Sequence, residues 1–133
     1  MDLETLYTLT GKAVTEKVGK VQEGERLKIE FRGKTAQDSP IKGKAHGTTW
    51  ILVGSVGPST TNAVQEIMTP AGERLVVELR GYAHGCNGEG MEIRTCGIIR
   101  SSAASFAHLN GRIALVIQRI TKDDATAVDA YQF

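Results

Sequence analysis

From Arg74 to His84 the chain alternates: Leu75, Val77, Leu79 and Ala83 share one face of an extended strand, and Arg74, Val76, Glu78, Arg80, Tyr82 and His84 share the other. The following segment repeats the pattern, with Glu92, Arg94, Cys96 and Ile98 opposite Met91, Ile93, Thr95 and Ile99. Short runs rich in Val, Ile, Leu and Thr recur along the chain with glycines between them, and they predict strands over Thr5–Val14, Arg26–Ala36, Gly43–Val53, Ala63–Thr69, Arg74–His84, Met91–Ile99, Arg112–Ile120 and Thr126–Phe133. Eight such strands belong to a barrel or a sandwich.

One segment departs from the alternation. SSAASFAHLNG offers Ser101 and Ser102 as N-caps and Asn110-Gly111 as a stop, which predicts a short helix over Ser102–Leu109. The stretches VGPSTTN, TPAGE, GCNGEG and TKDDAT read as hairpin turns or as the mouth of a barrel.

Composition narrows the function classes. A chain of 133 residues with net charge +1 and no block of like charge gives no footprint for nucleic acid or for an anionic membrane. Apolar runs such as Ile113–Ile117 are far shorter than the roughly 20 residues of a membrane helix. The start MDLETLYTL lacks the basic and apolar regions of a signal peptide, so a soluble, cytoplasmic protein with Cys86 and Cys96 as free thiols is expected. With three Phe, three Tyr and one Trp to fill a barrel, the composition favours an internal cavity over a filled one.

The candidate chemistry sits on the alternating strands. Arg80, Tyr82 and His84 either form a wet outer face or point into a pocket, where Tyr82 supplies a proton donor and His84 a base. Arg94 has the same two readings, because Glu92 and Arg94 are placed to make cross-strand ion pairs with Glu78 and Arg80. Glu66 lies between Val64 and Met68, either on an edge or in apolar company that would raise its pKa toward proton transfer. Trp50 is expected inside, as core, pocket wall or stacking platform. His46, His84 and His108 lack metal-ligand spacing, the cysteines form no CxxC, and GxSxG, phosphate-loop and GxGxxG patterns are absent, so neither metal nor cofactor is expected.

The order of segments GTTWILV, TPAGERLVVELRGYA, IRTCG, FAHLNGRIALVIQRI and VDAYQF resembles the family catalogued as domain of unknown function 3237, over nearly the whole chain from about Leu3. Trp50, Gly72, Gly81, Arg94-Thr95, Leu109-Asn110, Asp129 and Tyr131 match its motifs, while Thr49, Pro70-Ala71 and Ala83 replace polar or charged positions of the pattern. The resemblance implies a closed barrel with an internal cavity, assembly into oligomers, and, for relatives in fungal secondary-metabolite pathways, cofactor-free isomerase or cyclase chemistry. The resulting expectation is a single antiparallel β-barrel with one short helix, binding an apolar, aromatic or polyketide-like molecule. Its chemistry would be proton transfer, such as adding a hydroxyl across an alkene. His84 or Glu66 is the expected base, Tyr82 the acid, Arg80 or Arg94 the anion stabiliser and Trp50 the stacking surface. The competing expectations are a non-catalytic carrier with the same cavity and a purely structural module with a filled barrel.

Overall fold

The computed structural model describes residues 2–22, 24–86 and 89–133. Its strands are β1 (Glu4–Val21), β2 (Gly24–Thr35), β3 (Lys44–Gly54), β4 (Ser59–Met68), β5 (Arg74–His84), β6 (Met91–Arg100), β7 (Ile113–Ile120) and β8 (Ala125–Gln132). Each pairs antiparallel with its neighbour in sequence, and β8 returns to β1, which closes the barrel and leaves no free edge. Asn87 and Gly88, in the expected GCNGEG turn, lie outside the described residues.

The period-two pattern becomes an inside and an outside. On β5, Leu75, Val77, Leu79 and Ala83 are buried, and the polar alternates face out. Around the end that carries the connections 36–43, 69–73 and 101–112, the interior is filled. Leu6, Tyr7, Leu9, Phe31, Ile67, Leu75, Val77 and Ile99 are each 2 % exposed or less. Burying each aliphatic side chain among these contributes roughly 1.5–3 kcal/mol. Tyr7 reaches from β1 across the barrel to β4 and donates its hydroxyl hydrogen to Gln65 Oε1 at 2.6 Å. Burial pushes the Tyr7 phenol well above its ordinary range, so it stays a neutral donor that satisfies a buried amide oxygen and closes the barrel axis.

Two strands run well past their sequence-based bounds, by four residues or more. β1 runs on to Val21 and pairs with β2 as a long hairpin, with Glu16, Lys17 and Val18 all exposed. Both faces of this extension are wet, so it has no apolar alternation to betray it. β4 begins at Ser59, where Ser59, Thr60 and Thr61 pair with Ala83, Tyr82 and Gly81. The expected helix is a 3-10 helix over Ala104–Leu109, capped by Ala103 without a side-chain bond. Ser101 and Asn110 instead clamp its two ends: the Ser101 N–H donates to Asn110 Oδ1 at 2.6 Å, and Asn110 Nδ2 donates to the Ser101 carbonyl at 2.8 Å. Leu109 is buried against the filled end. Among the described residues no helix is long and apolar enough to cross a membrane.

Candidate functional site

The opposite end of the barrel, where the turns after β1, β3, β5 and β7 gather, is not filled. A cup of about 400 Å³ opens there, walled by Leu27, Val53, Cys86, Met91 and Ile120. Lys17 and Glu25 from the long hairpin, with Lys122 and Asp124 from the β7–β8 turn, supply its charged lining. That turn is tightly built. Asp124 adopts φ 66°, a left-handed conformation that Asp tolerates better than most residues, and its carbonyl accepts the Ala13 N–H at 2.9 Å. Cys86 is half-buried, and burial pushes its thiol up against a smaller opposing effect of a hydrogen bond with Ser59. Cys96 is also free and lies exposed.

Just inside the cup lies a belt of buried polar side chains. Thr126 pairs with Ile120 across β7–β8, Gln118 is the next inward position below Ile120, Thr61 pairs with Ile51, and Thr49 is the next inward position below Ile51. Thr49 Oγ1, Thr61 Oγ1, Gln118 Nε2 and Thr126 Oγ1 are buried and have no hydrogen-bond partner. An unpaired buried polar group costs roughly 1–3 kcal/mol, so four of them are a concentrated expense of stability. In an eight-strand closed barrel β3 faces β7 and β4 faces β8, so the pairs Thr49/Gln118 and Thr61/Thr126 come from opposite walls. The buried inward residues flanking them, among them Ala63, Ala83 and Ile93 with Ser59 and Thr95, carry no charge. The visible signal for these residues is a polar type in an apolar slot: Gln118 between Val116 and Ile120, Thr61 beside Ala63, and Thr49 next to the tryptophan.

The residues expected to carry chemistry stand elsewhere. Trp50, expected inside, is 48 % exposed on the outer wall, because Thr49 and Ile51 take the inward slots of β3. Tyr82 is 54 % exposed, and Arg80, His84 and Arg94 also face outward, so none of them looks into the cup. Trp50 and Arg80 meet in a shallow outer groove of about 390 Å³ with Asn62, Val64, Glu78 and Ile98, and Lys28 Nζ stands 5.0 Å from the Trp50 ring centre. Glu66 also faces out, where it accepts hydrogen bonds from Arg74 and lies 3.3 Å from His46 Nε2. The Arg74 guanidinium and the His46 imidazole, not apolar side chains, are the partners of its carboxylate.

The cross-strand ion pairs expected between Glu92, Arg94, Glu78 and Arg80 are not formed. The register sets Arg94 opposite Tyr82 and Glu92 opposite His84. Glu92 instead bonds Arg94 on its own strand at 2.7 Å and Arg119 on β7 at 3.2 Å, while Glu78 meets Arg100 at 3.4 Å. The Arg94 hydrogen bond, above all, holds the Glu92 carboxyl below its usual range. Among the described residues no three His, Cys, Asp or Glu side chains converge as a metal-ligand set.

No protein-family model and no curated protein matches the sequence. The fold has clear relatives among solved structures. A protein of unknown function from Clostridium acetobutylicum superposes with a TM-score of 0.82 at 16 % identity, covering 100 % of this chain and 99 % of the other. A conserved protein of unknown function from Rhodopseudomonas palustris gives 0.80 at 17 %, covering 98 % and 96 %. A structure described as an enzyme from Penicillium herquei gives 0.68 at 15 %, covering 98 % and 92 %. At these identities the likeness is one of fold, over nearly the whole length of each chain.

Proposed function

We propose that the protein binds an apolar small molecule in the cup at the hairpin end of the barrel. The observation that carries this reading is the half-filled interior: a closed barrel plugged at one end by Tyr7, Phe31 and their neighbours, and open at the other over an apolar wall. A neutral fluorescent probe, N-phenyl-1-naphthylamine, is expected to brighten on binding. Val53→Trp, which fills the cup from its wall, is expected to weaken that binding at least about tenfold with the circular dichroism unchanged, since losing a well-packed ring's place costs more than 1.4 kcal/mol. Ile98→Ala, in the outer groove, should leave binding as it is. The reverse pattern would move the ligand to the outer wall.

A second reading adds cofactor-free proton transfer of the isomerase or cyclase class. Two observations favour it. The cup has carboxylates, Glu25 and Asp124, and ammonium groups, Lys17 and Lys122, beside an apolar wall, which is the combination that acid–base chemistry on an apolar substrate needs. The Penicillium herquei protein of similar fold is described as an enzyme. Membership of the family catalogued as domain of unknown function 3237 would agree with either reading. Conversion of an unsaturated phenol or hydroxy-alkene to a product of equal mass, lost in Glu25→Gln or Asp124→Asn while probe binding survives, would establish catalysis. No conversion by the parent protein would leave a binding barrel.

A further inference from the structure

The belt of unpaired polar groups specifies more about the ligand than the cup wall does. Gln118 is 2 % exposed, Thr61 2 % and Thr126 3 %, yet Gln118 Nε2 and both hydroxyls lack partners. They lie at the first inward positions below the cup, Gln118 and Thr126 beside Ile120 on one wall and Thr61 beside Ile51 on the other. Beside Ile120 on the cup wall is Met91, an unbranched, partly buried side chain that yields more readily than a branched one. An amide nitrogen can only donate, and a threonine hydroxyl can donate or accept. What fits among them is therefore an oxygen that accepts from Gln118. The charged lining, Lys17, Glu25, Lys122 and Asp124, belongs to the cup, and none of the buried residues around the belt is charged, so a carboxylate or an ammonium seated there would have no buried counter-charge.

We infer that the ligand enters the cup polar end first and seats an uncharged carbonyl or hydroxyl oxygen among Thr61, Gln118 and Thr126, with its ring system against Leu27, Val53, Met91 and Ile120. This rests on the cup being the binding site, and it selects the substrate class: neutral, oxygen-bearing apolar molecules such as ketones, lactones and phenols, and neither hydrocarbons nor organic acids. The unpaired atoms also make a prediction for the free protein. If the ligand is what completes them, removing their polarity without changing their shape relieves the empty state.

Three matched probes, naphthalene, 2-acetylnaphthalene and 2-naphthoate, test this by fluorescence or calorimetry on the intact chain. The ketone is expected to bind at least about tenfold more tightly than naphthalene and than naphthoate, the worth of one well-made buried hydrogen bond. Thr126→Val with Gln118→Leu should bring the ketone down to the level of naphthalene and leave naphthalene itself unchanged. Thr61→Val and Thr126→Val alone, which keep the fold's shape, should each raise the melting temperature of the free protein. Equal binding of naphthalene and ketone, indifferent to the double variant, would overturn the inference and leave the cup standing as a purely apolar site. Tighter binding of naphthoate would overturn it in favour of the charged rim. A fall in melting temperature for both valine variants would overturn it in favour of buried waters as the partners. Failure of all three probes to bind would remove the cup reading itself.

Discussion

Thr49 and Trp50 are chain neighbours that stand on opposite sides of the barrel wall, one fully buried with an unpaired hydroxyl and the other half in solvent. The same single step separates Ala83 from Tyr82 and His84 on β5. On this wall a side chain is either in the barrel or out of it, and a residue that is chemically apt for catalysis but out is a surface residue. Tyr82→Phe and His84→Ala are therefore expected to shift stability by no more than about 0.5 kcal/mol and to leave cup binding at the parental level. Urea unfolding together with the naphthylamine titration checks both. A large loss of binding in either variant would mean that the outer wall, not the cup, holds the ligand. The belt residues answer to the opposite test, since their polarity is buried and their removal is read in the ligand's preference for oxygen.

At the scale of elements, the pairing of β2 with β3 shows how the filled end is made. Phe31 faces Gly47 across the ladder, and a Cβ on Gly47 would run into the Phe31 ring. The glycine is there because the phenyl ring lies over its backbone, an aromatic side chain covering a strand glycine. Gly47→Ala is expected to cost about 1–3 kcal/mol by overpacking, and Phe31→Ala about 3–5 kcal/mol by leaving a void. The double variant should cost less than the sum, because the alanine at position 47 then meets no ring. Urea midpoints of the four proteins settle it; strict additivity would show that the ring and the glycine do not depend on one another. The eight strands and their closure into one antiparallel barrel were legible because apolar alternation recurs along the chain, whereas the alternation on β5 and β6 left open which face points inward. The extension of β1 was not, because a hairpin wet on both faces has no apolar side to display. The helix was placed to within two residues at its start, but Ala103 stands at its N-cap, and Ser101 acts through its backbone in a clamp with Asn110. The cup and its belt were not legible for a related reason: nothing titratable marks Gln118, Thr61 and Thr126, which stand out only once the inward parity of their strands is fixed.

For the whole molecule, what the barrel excludes from its interior reappears on its outer wall. Trp50, Val64, Ile98 and Ile113 are 48, 47, 43 and 44 % exposed on β3, β4, β6 and β7, to either side of Glu78 and Arg80 on β5, more apolar surface in one neighbourhood than a lone small barrel ordinarily shows to water. Glu78 and Arg80 lie in the same groove as Trp50, so two copies meeting about a twofold axis can set the carboxylate of one against the guanidinium of the other while covering the apolar side chains of both. The protein is therefore expected to sediment as a species larger than its 14.3 kDa chain at micromolar concentration. Trp50→Lys combined with Ile98→Lys should convert it to the monomer, because two buried charges without partners oppose association far more than the lost apolar contacts alone. The cup opens at the barrel's end and not on this wall, so naphthylamine binding should survive in the monomer. A parent protein that already sediments as a single chain would show that the exposed tryptophan wall is free, and it would then become the surface on which to look for a different partner.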